Sequence, residues 1–399
     1  MKVAQILLEM KIYNSMILKK DQKYIMAGSV ISQLQKIYPG GVIERDNFAE
    51  IYNKLNIENV KNGDGILVFR SGGIGDVMFT IPLLRFLKKA FPLSKISAGT
   101  VPLYLDVLKN NPFVDEIVPM PFTLDKMKES KYHLMFEGLI EDERSDSKKL
   151  NAVDLFLKEA NVDYRKISFK DKNPTLFITE EEIKIREKIY KKLGIEKGGG
   201  KYIGIQMESS SPIRNFPFNK FVFIIKELIF NRGYSVIIFG GKRQIESAEY
   251  LLRMMEQTPL LISTCGKFSL RESIIIASGM DLIIAPDSSF IHIAGGLNIP
   301  VIGLYGCFPS MLRMRYYNKA IGIDADVPCS PSFIHGHFPC YKGDPSPCFS
   351  VISINNVMDA IDHIFELKKI ESEYPRYNEF EKGEIVYSPF LFEKFIPQN

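Results

Sequence analysis

From residue 65 onward, apolar runs of strand length alternate with amphipathic stretches of helix length, and near residue 202 the alternation begins again. That order leaves a chain few options. Parallel strands need a long return crossover, which a helix supplies, so a repeated strand, turn and helix builds a parallel sheet covered by helices. The first series reads as a strand at 65–70, a turn at 71–76 containing Gly72, Gly73 and Gly75, and an amphipathic helix at 77–91. A second strand at 95–100, a helix near 103–109 and short apolar runs at 114–118 and 132–136 continue it. At 399 residues the chain suits two such units, since domains run to roughly 100 to 200 residues each.

Thr179 and Glu182 have the Thr-x-x-Glu spacing of a capping box and start a charged helix reaching Leu193, which Gly194 and the glycines at 198–200 then break. The second series follows at once, with strands at 202–207 and 235–239 and helices at 219–231 and 244–255. It ends with a helix capped by Ser269 and Glu272, a strand at 281–285, a helix from Ser289 and a strand at 300–304. These signals divide the chain into a small added module at 1–60, read as a hairpin over 12–31 and a helix near 48–55, then Rossmann-like units at 61–196 and 197–365. A tail at 366–399 is expected to pack back across them.

Composition sorts the functional classes. With 46% hydrophobic and 25% charged residues this is a globular chain, and a net charge of +4 gives no case for nucleic-acid binding while suiting an anionic substrate or membrane surface. Glu9, Lys11 and Asn14 interrupt the apolar start, which therefore reads as neither a signal peptide nor a membrane span. The expected location is cytoplasmic, with peripheral contact at the inner membrane face left open. Five cysteines without a secretion signal point to reduced thiols.

Two constellations carry chemistry. In the first, Gly73 and Gly75 shape a turn whose helix N-terminus offers backbone donors, and Asp76 stands at the sheet's carboxyl edge, where ligands of open α/β sheets bind. A carboxylate there can take a proton from a hydroxyl, and the same residue type is also an ordinary cap for a helix. A dinucleotide site would want an acidic residue closing the second strand, which Ala98, Gly99 and Thr100 do not supply. In the second, Asp287 closes a strand, Ser288 and Ser289 open a helix of small residues, and His292 follows one turn later, an arrangement suited to a diphosphate. Ser209, Ser210 and Arg214 form a hydroxyl-rich loop at another strand end. Its arginine can fork onto phosphate oxygens, while Glu246 can accept from ribose hydroxyls.

In their order along the chain these segments resemble the family 9 glycosyltransferases. Gly75-Asp76-Val77 with Thr80 is similar to that family's N-terminal Gly-Asp motif, and Arg214-Asn215-Phe216-Pro217 to its Lys/Arg-x-Trp-Pro loop. The run from Asp287 through His292 to Ala294 is similar to its Asp-Thr-Gly-x-x-His signature, and the run 298–306 completes a likeness over about 65–365. The resemblance implies a GT-B fold, α/β with two Rossmann-like domains facing a cleft. It also implies metal-independent, inverting transfer of a sugar, heptose from ADP-heptose in the first instance, to a glycan or glycolipid acceptor of the lipopolysaccharide core type. Asp76 would be the base, and Ser209, Ser210, Arg214 and the Ser288-Ser289 turn would hold the donor's phosphates. Phe216 stands where the family often has Trp, and Ser288-Ser289 where it has Thr-Gly. Some relatives with N-terminal additions modify proteins, which leaves a protein acceptor open. A sugar-nucleotide 2-epimerase of similar architecture and a non-catalytic nucleotide-binding protein are the alternatives.

One cluster stands apart. Cys329, His335, His337, Cys340 and Cys348 lie within a proline-rich stretch and could hold a structural zinc or iron, although no Cys-x-x-Cys pair is present. Cys265 and Cys307 sit near strand ends and read as core residues.

Overall fold

The computed structural model describes residues 1–12, 16–26, 28–45, 48–136, 146–195, 200–333, 340 and 348–373. Their contacts separate into two compact units, the first made of residues within 1–142 and 152–171, the second of residues within 143–151 and from 172 onward.

The first unit holds a four-stranded parallel sheet in the order Tyr132–Met135, Ile66–Phe69, Ile96–Thr100, Glu116–Pro119. Every residue of Ile66–Phe69 and Ile96–Thr100 is buried, as expected of strands covered on both faces. The N-terminal residues are more elaborate than a hairpin and a helix. Strand Lys2–Ile6 pairs antiparallel with Val42–Arg45 on one side and Lys23–Met26 on the other, and Met10–Ile12 pairs with Met16–Leu18. The stretch 24–31, expected to be extended throughout, turns into the helix Gly28–Ile37. Ile31 and Leu34, one helical turn apart, are both buried, a period of three hidden behind an apolar run. Helix Phe48–Ile51 lasts only one turn. The module is stitched to its neighbour because Phe122–Thr123 adds a fourth strand beside Lys23–Met26, and Val3 and Ile25 share a core with Leu67, Phe69 and Phe122.

The second unit is a six-stranded parallel sheet ordered Leu261–Ser263, Ser235–Phe239, Tyr202–Gln206, Leu282–Pro286, Val301–Tyr305, Ala320–Asp324. The chain starts at Tyr202–Gln206, builds outward to one side, then returns to the other side with Leu282–Pro286. The crossovers therefore diverge between those two strands. Glycines inside the strands let neighbouring side chains approach closely: a Cβ on Gly204 would fall 2.9 Å from the Phe239 ring and 3.0 Å from Ile283 of the flanking strands, and one on Gly303 would meet the Met314 sulfur of the helix Met311–Met314.

The division falls at 171/172 and not at 196, so the helix Glu180–Leu193 belongs to the second unit. Its anchors explain why. Glu182 completes the capping box with Thr179 and also accepts a bidentate pair from Arg271, from Nε and from Nη2 at 2.6 Å each, while Tyr190 donates its hydroxyl to the Ile276 carbonyl at 2.6 Å. The expected C-terminal tail begins inside the helix Ile354–Glu373, and residues 374–399 lie outside the described residues.

Because the Arg271 and Glu182 side chains are only 8% and 15% exposed, removing one leaves the other charge stranded. Arg271→Ala is expected to cost about 3 kcal/mol in a denaturant titration; a loss below about 1 kcal/mol would show the pair to be dispensable.

Candidate active site

In the first unit the strand Ile66–Phe69 ends at Arg70, and the chain turns through Ser71, Gly72 and Gly73 into the short helix Ile74–Met78. Arg70 is 2% exposed, donates from Nη1 to the Phe136 carbonyl at 2.7 Å, and places Nη2 3.3 Å from Asp76 Oδ2. The Gly73 N–H donates to the same Oδ2 at 2.9 Å. One carboxylate oxygen is therefore fixed by a cation and a backbone donor. Asp76 Oδ1 makes no hydrogen bond or ion pair with a described residue, and the side chain is 25% exposed. Asp76 caps the turn through one oxygen and presents the other.

The glycines serve this arrangement differently from the expected tight turn. Neither Gly72, Gly73 nor Gly75 adopts a positive φ. Gly72 is needed for space, since a Cβ there would lie 2.5 Å from Asp76 Oδ2 and 2.6 Å from Arg70 Nε. Two residues that sequence reading missed join them. Arg70 gave no signal beyond a cation closing an apolar strand. Tyr104, on the 3-10 turn Pro102–Val107, has its phenol pushed up by burial and then by the nearby charge of Asp76.

In the second unit the expected residues gather at the carboxyl edge of the sheet, on either side of the point where the crossovers diverge. Arg214, on the turn Pro212–Arg214, places Nη1 3.3 Å from Asp287 Oδ2 and donates from Nη2 to Ser210 Oγ at 3.1 Å. Its side chain is 26% exposed and that of Asp287 only 7%. Asp287 thus holds the guanidinium from behind, and the arginine keeps donors to offer an anion. Ser209 has a different task from the one expected. Its hydroxyl donates to the Ser211 carbonyl at 2.8 Å and accepts from the Ser211 N–H at 3.0 Å, while its own N–H donates to Asn215 Oδ1 at 2.7 Å, so Ser209 shapes the loop.

Ser288 precedes the helix Ser289–Gly296 and donates its hydroxyl proton to Gln206 Oε1 at 2.6 Å. The same oxygen accepts from the Phe290 N–H at 3.2 Å, so Gln206, absent from the expected set, caps this helix from the next strand. With its proton committed, Ser288 Oγ is left as an acceptor. Ser289 remains at the helix N-terminus, partly exposed. His292 is buried, sharing a 2.9 Å hydrogen bond between Nδ1 and Tyr317 Oη, and the Tyr317 ring fills the space where Gly295 has no side chain. Tyr305, fully buried where the next strand ends beside Asp287, has its phenol pushed well above the ordinary range by burial and then by Asp287's charge. Glu246 lies exposed in the first turn of the helix Ile245–Met254 and makes no hydrogen bond or ion pair with a described residue.

Among the described residues no group of three or more His, Cys, Asp or Glu side chains is placed to hold a metal ion; Cys329 and Cys340 are half-buried, Cys348 is buried, and His335 and His337 lie outside the described residues. Cys265 and Cys307 are core residues, 3% and 2% exposed.

The model of glycosyltransferase family 9 (heptosyltransferase) matches residues 153–338. Lipopolysaccharide heptosyltransferase 1 of Campylobacter coli is 24% identical over 291 residues, which cover 61% of this chain and 84% of the relative. Residues 153–338 thus carry a segment of glycosyltransferase family 9 type, and the chain is similar to that family's heptosyltransferases. Among solved structures, the E. coli ADP-heptose lipopolysaccharide heptosyltransferase II has a TM-score of 0.61 at 18% identity, covering 76% of this chain and 99% of that one. The iron-containing dodecameric glycosyltransferase TibC from enterotoxigenic E. coli H10407 has a TM-score of 0.55 at 13% identity, covering 82% and 78%. The fold of this transferase is GT-B, two Rossmann-like domains. No helix among its described residues is long and apolar enough to cross a membrane.

The Tyr317 ring and Gly295 occupy one slot, so Gly295→Ala must displace the ring that holds His292. It is expected to destabilise the transferase by about 2 kcal/mol in chemical denaturation, and an unchanged midpoint would mean that the slot is looser than its contacts indicate.

Proposed function

We propose that this transferase moves a sugar with inversion from a nucleotide-activated donor, ADP-heptose as the first candidate, to a hydroxyl of a lipopolysaccharide core-type acceptor on the cytoplasmic side of the membrane. The observation that carries the reading is the pair of oxygens on Asp76, one fixed by Arg70 and the Gly73 N–H, the other open. A general base needs that asymmetry, because a carboxylate anchored through one oxygen keeps the second aimed at the proton it takes. The acceptor oxygen forms its bond to the anomeric carbon as its proton passes to Asp76. The bond from that carbon to the diphosphate breaks, and its electron pair leaves with the phosphate oxygen.

In the second unit Arg214, backed by Asp287 and Ser210, and the N-terminus of Ser289–Gly296 offer positive charge to the departing diphosphate. The donor and acceptor classes are supported by the relatives, whose names specify lipopolysaccharide and ADP-heptose. Glu246, at the same sheet edge, is the residue proposed for the ribose hydroxyls.

Titration calorimetry with ADP, UDP and GDP, followed by transfer assays with ADP-heptose and a heptose-deficient core acceptor, tests this directly. Binding should favour ADP, and Arg214→Ala should weaken it about tenfold or more. Asp76→Asn should bind nucleotide within twofold of the parent while turnover falls by about two orders of magnitude or more. Preference for UDP or GDP would discard heptose, and normal turnover in Asp76→Asn would remove Asp76 as the base.

A further inference from the structure

The second unit contains a polar side chain whose position the donor reading does not use. Gln206 ends the strand Tyr202–Gln206 at the place where the sheet's crossovers diverge, the point at which open α/β sheets bind ligands. It is 9% exposed. The orientation of its amide is decided by chemistry: the Phe290 N–H can only donate, so the atom 3.2 Å from it is the oxygen, and the same oxygen takes the Ser288 proton at 2.6 Å. Nε2 is thereby turned to the other side, and its two N–H groups make no hydrogen bond with any described residue. Nε2 is not sealed in the interior: it reaches solvent at the carboxyl edge of the sheet, where a ligand oxygen can take the place of water.

We infer that Gln206 is a donor-binding residue, giving an N–H from Nε2 to the diphosphate of the nucleotide sugar while its Oε1 fixes the helix N-terminus that faces the same anion. The inference rests on the donor reading above and adds a residue to it. It also reassigns a task. Ser288 spends its only proton on Gln206, so its hydroxyl cannot donate to a phosphate oxygen, and the side-chain donor at this turn is the amide behind it. Ser288 Oγ can still accept from a hydroxyl of the bound sugar.

Gln206→Glu separates the two halves of the role. A carboxylate in that place still accepts from Ser288 and from the Phe290 N–H, so the helix keeps its cap and the fold its melting temperature, but the donor is gone and a negative charge stands opposite the diphosphate. In calorimetric titrations with ADP, GDP and UDP, affinity for whichever nucleotide the parent chain binds should fall at least tenfold. In the parent chain labelled with nitrogen-15, the Gln206 side-chain amide signal, assigned by its absence from the variant, should move when that nucleotide saturates. Affinity of Gln206→Glu within twofold of the parent, or an amide signal that stays in place at saturation, would reduce Gln206 to a helix cap and leave the donor reading standing. A parent chain that binds none of the three nucleotides would overturn the donor reading and this inference together.

Discussion

The parallel pairing of Tyr202–Gln206 with Leu282–Pro286 is the contact on which the second unit's proposed donor site depends. It joins the first strand of the unit to a strand reached only after two crossovers on the other side, and so leaves two chain turns, 207–217 and 287–289, leading out beside each other. Everything expected to meet an anion hangs from those turns. Arg214 comes from one and Asp287 from the other, and their 3.3 Å contact, like the Gln206 bond to Ser288, ties one strand end to the next. A shift in the register of this single pair would part the arginine from its carboxylate and the amide from the helix it caps.

The same economy appears in the first unit, where Asp76 is held by the buried Arg70. Arg70 costs desolvation, and it is compensated by the Phe136 carbonyl and by Asp76. In both units an acid and an arginine meet at a sheet's carboxyl edge with the roles exchanged: Arg70 is the buried partner of a more exposed carboxylate, and Asp287 the buried partner of a more exposed arginine. The partner in the protein's interior sets the direction, and the outer group keeps its remaining atoms toward solvent.

Much of this was legible in the sequence because its causes are local. Strand and helix periodicity located the main strands of both parallel sheets, the Thr179 and Glu182 spacing marked a capping box that forms, and Asp76, Arg214 and Asp287 were singled out at strand ends where the fold places them. What escaped has non-local causes. Leu261–Ser263 and Ala320–Asp324 are short or interrupted by glycine and become strands only because a neighbour offers hydrogen bonds. Gln206 looks like any polar residue ending a strand until Ser288, 82 positions away, is set beside it. The division at 171/172 could not be read from the glycines near 198, since what assigns the helix Glu180–Leu193 is the pairing of Glu182 with Arg271, again a distant partner.

Connectivity adds something that neither sheet reveals alone. Residues 152–171 belong to the first unit, yet just before them Asn151 donates to the Met311 carbonyl at 3.0 Å and Lys148 lies over the Phe333 ring, both in the second. The backbone therefore passes from one unit to the other three times instead of once. No single cut through such a chain releases both units whole: severed after 136, the first loses its last helix, Ala152–Glu159, and severed after 171, the second loses the short segment ending at Asn151. The two units are distinct as packed bodies but not as lengths of sequence, so a gene encoding either one alone would need a splice and not merely a shorter reading frame.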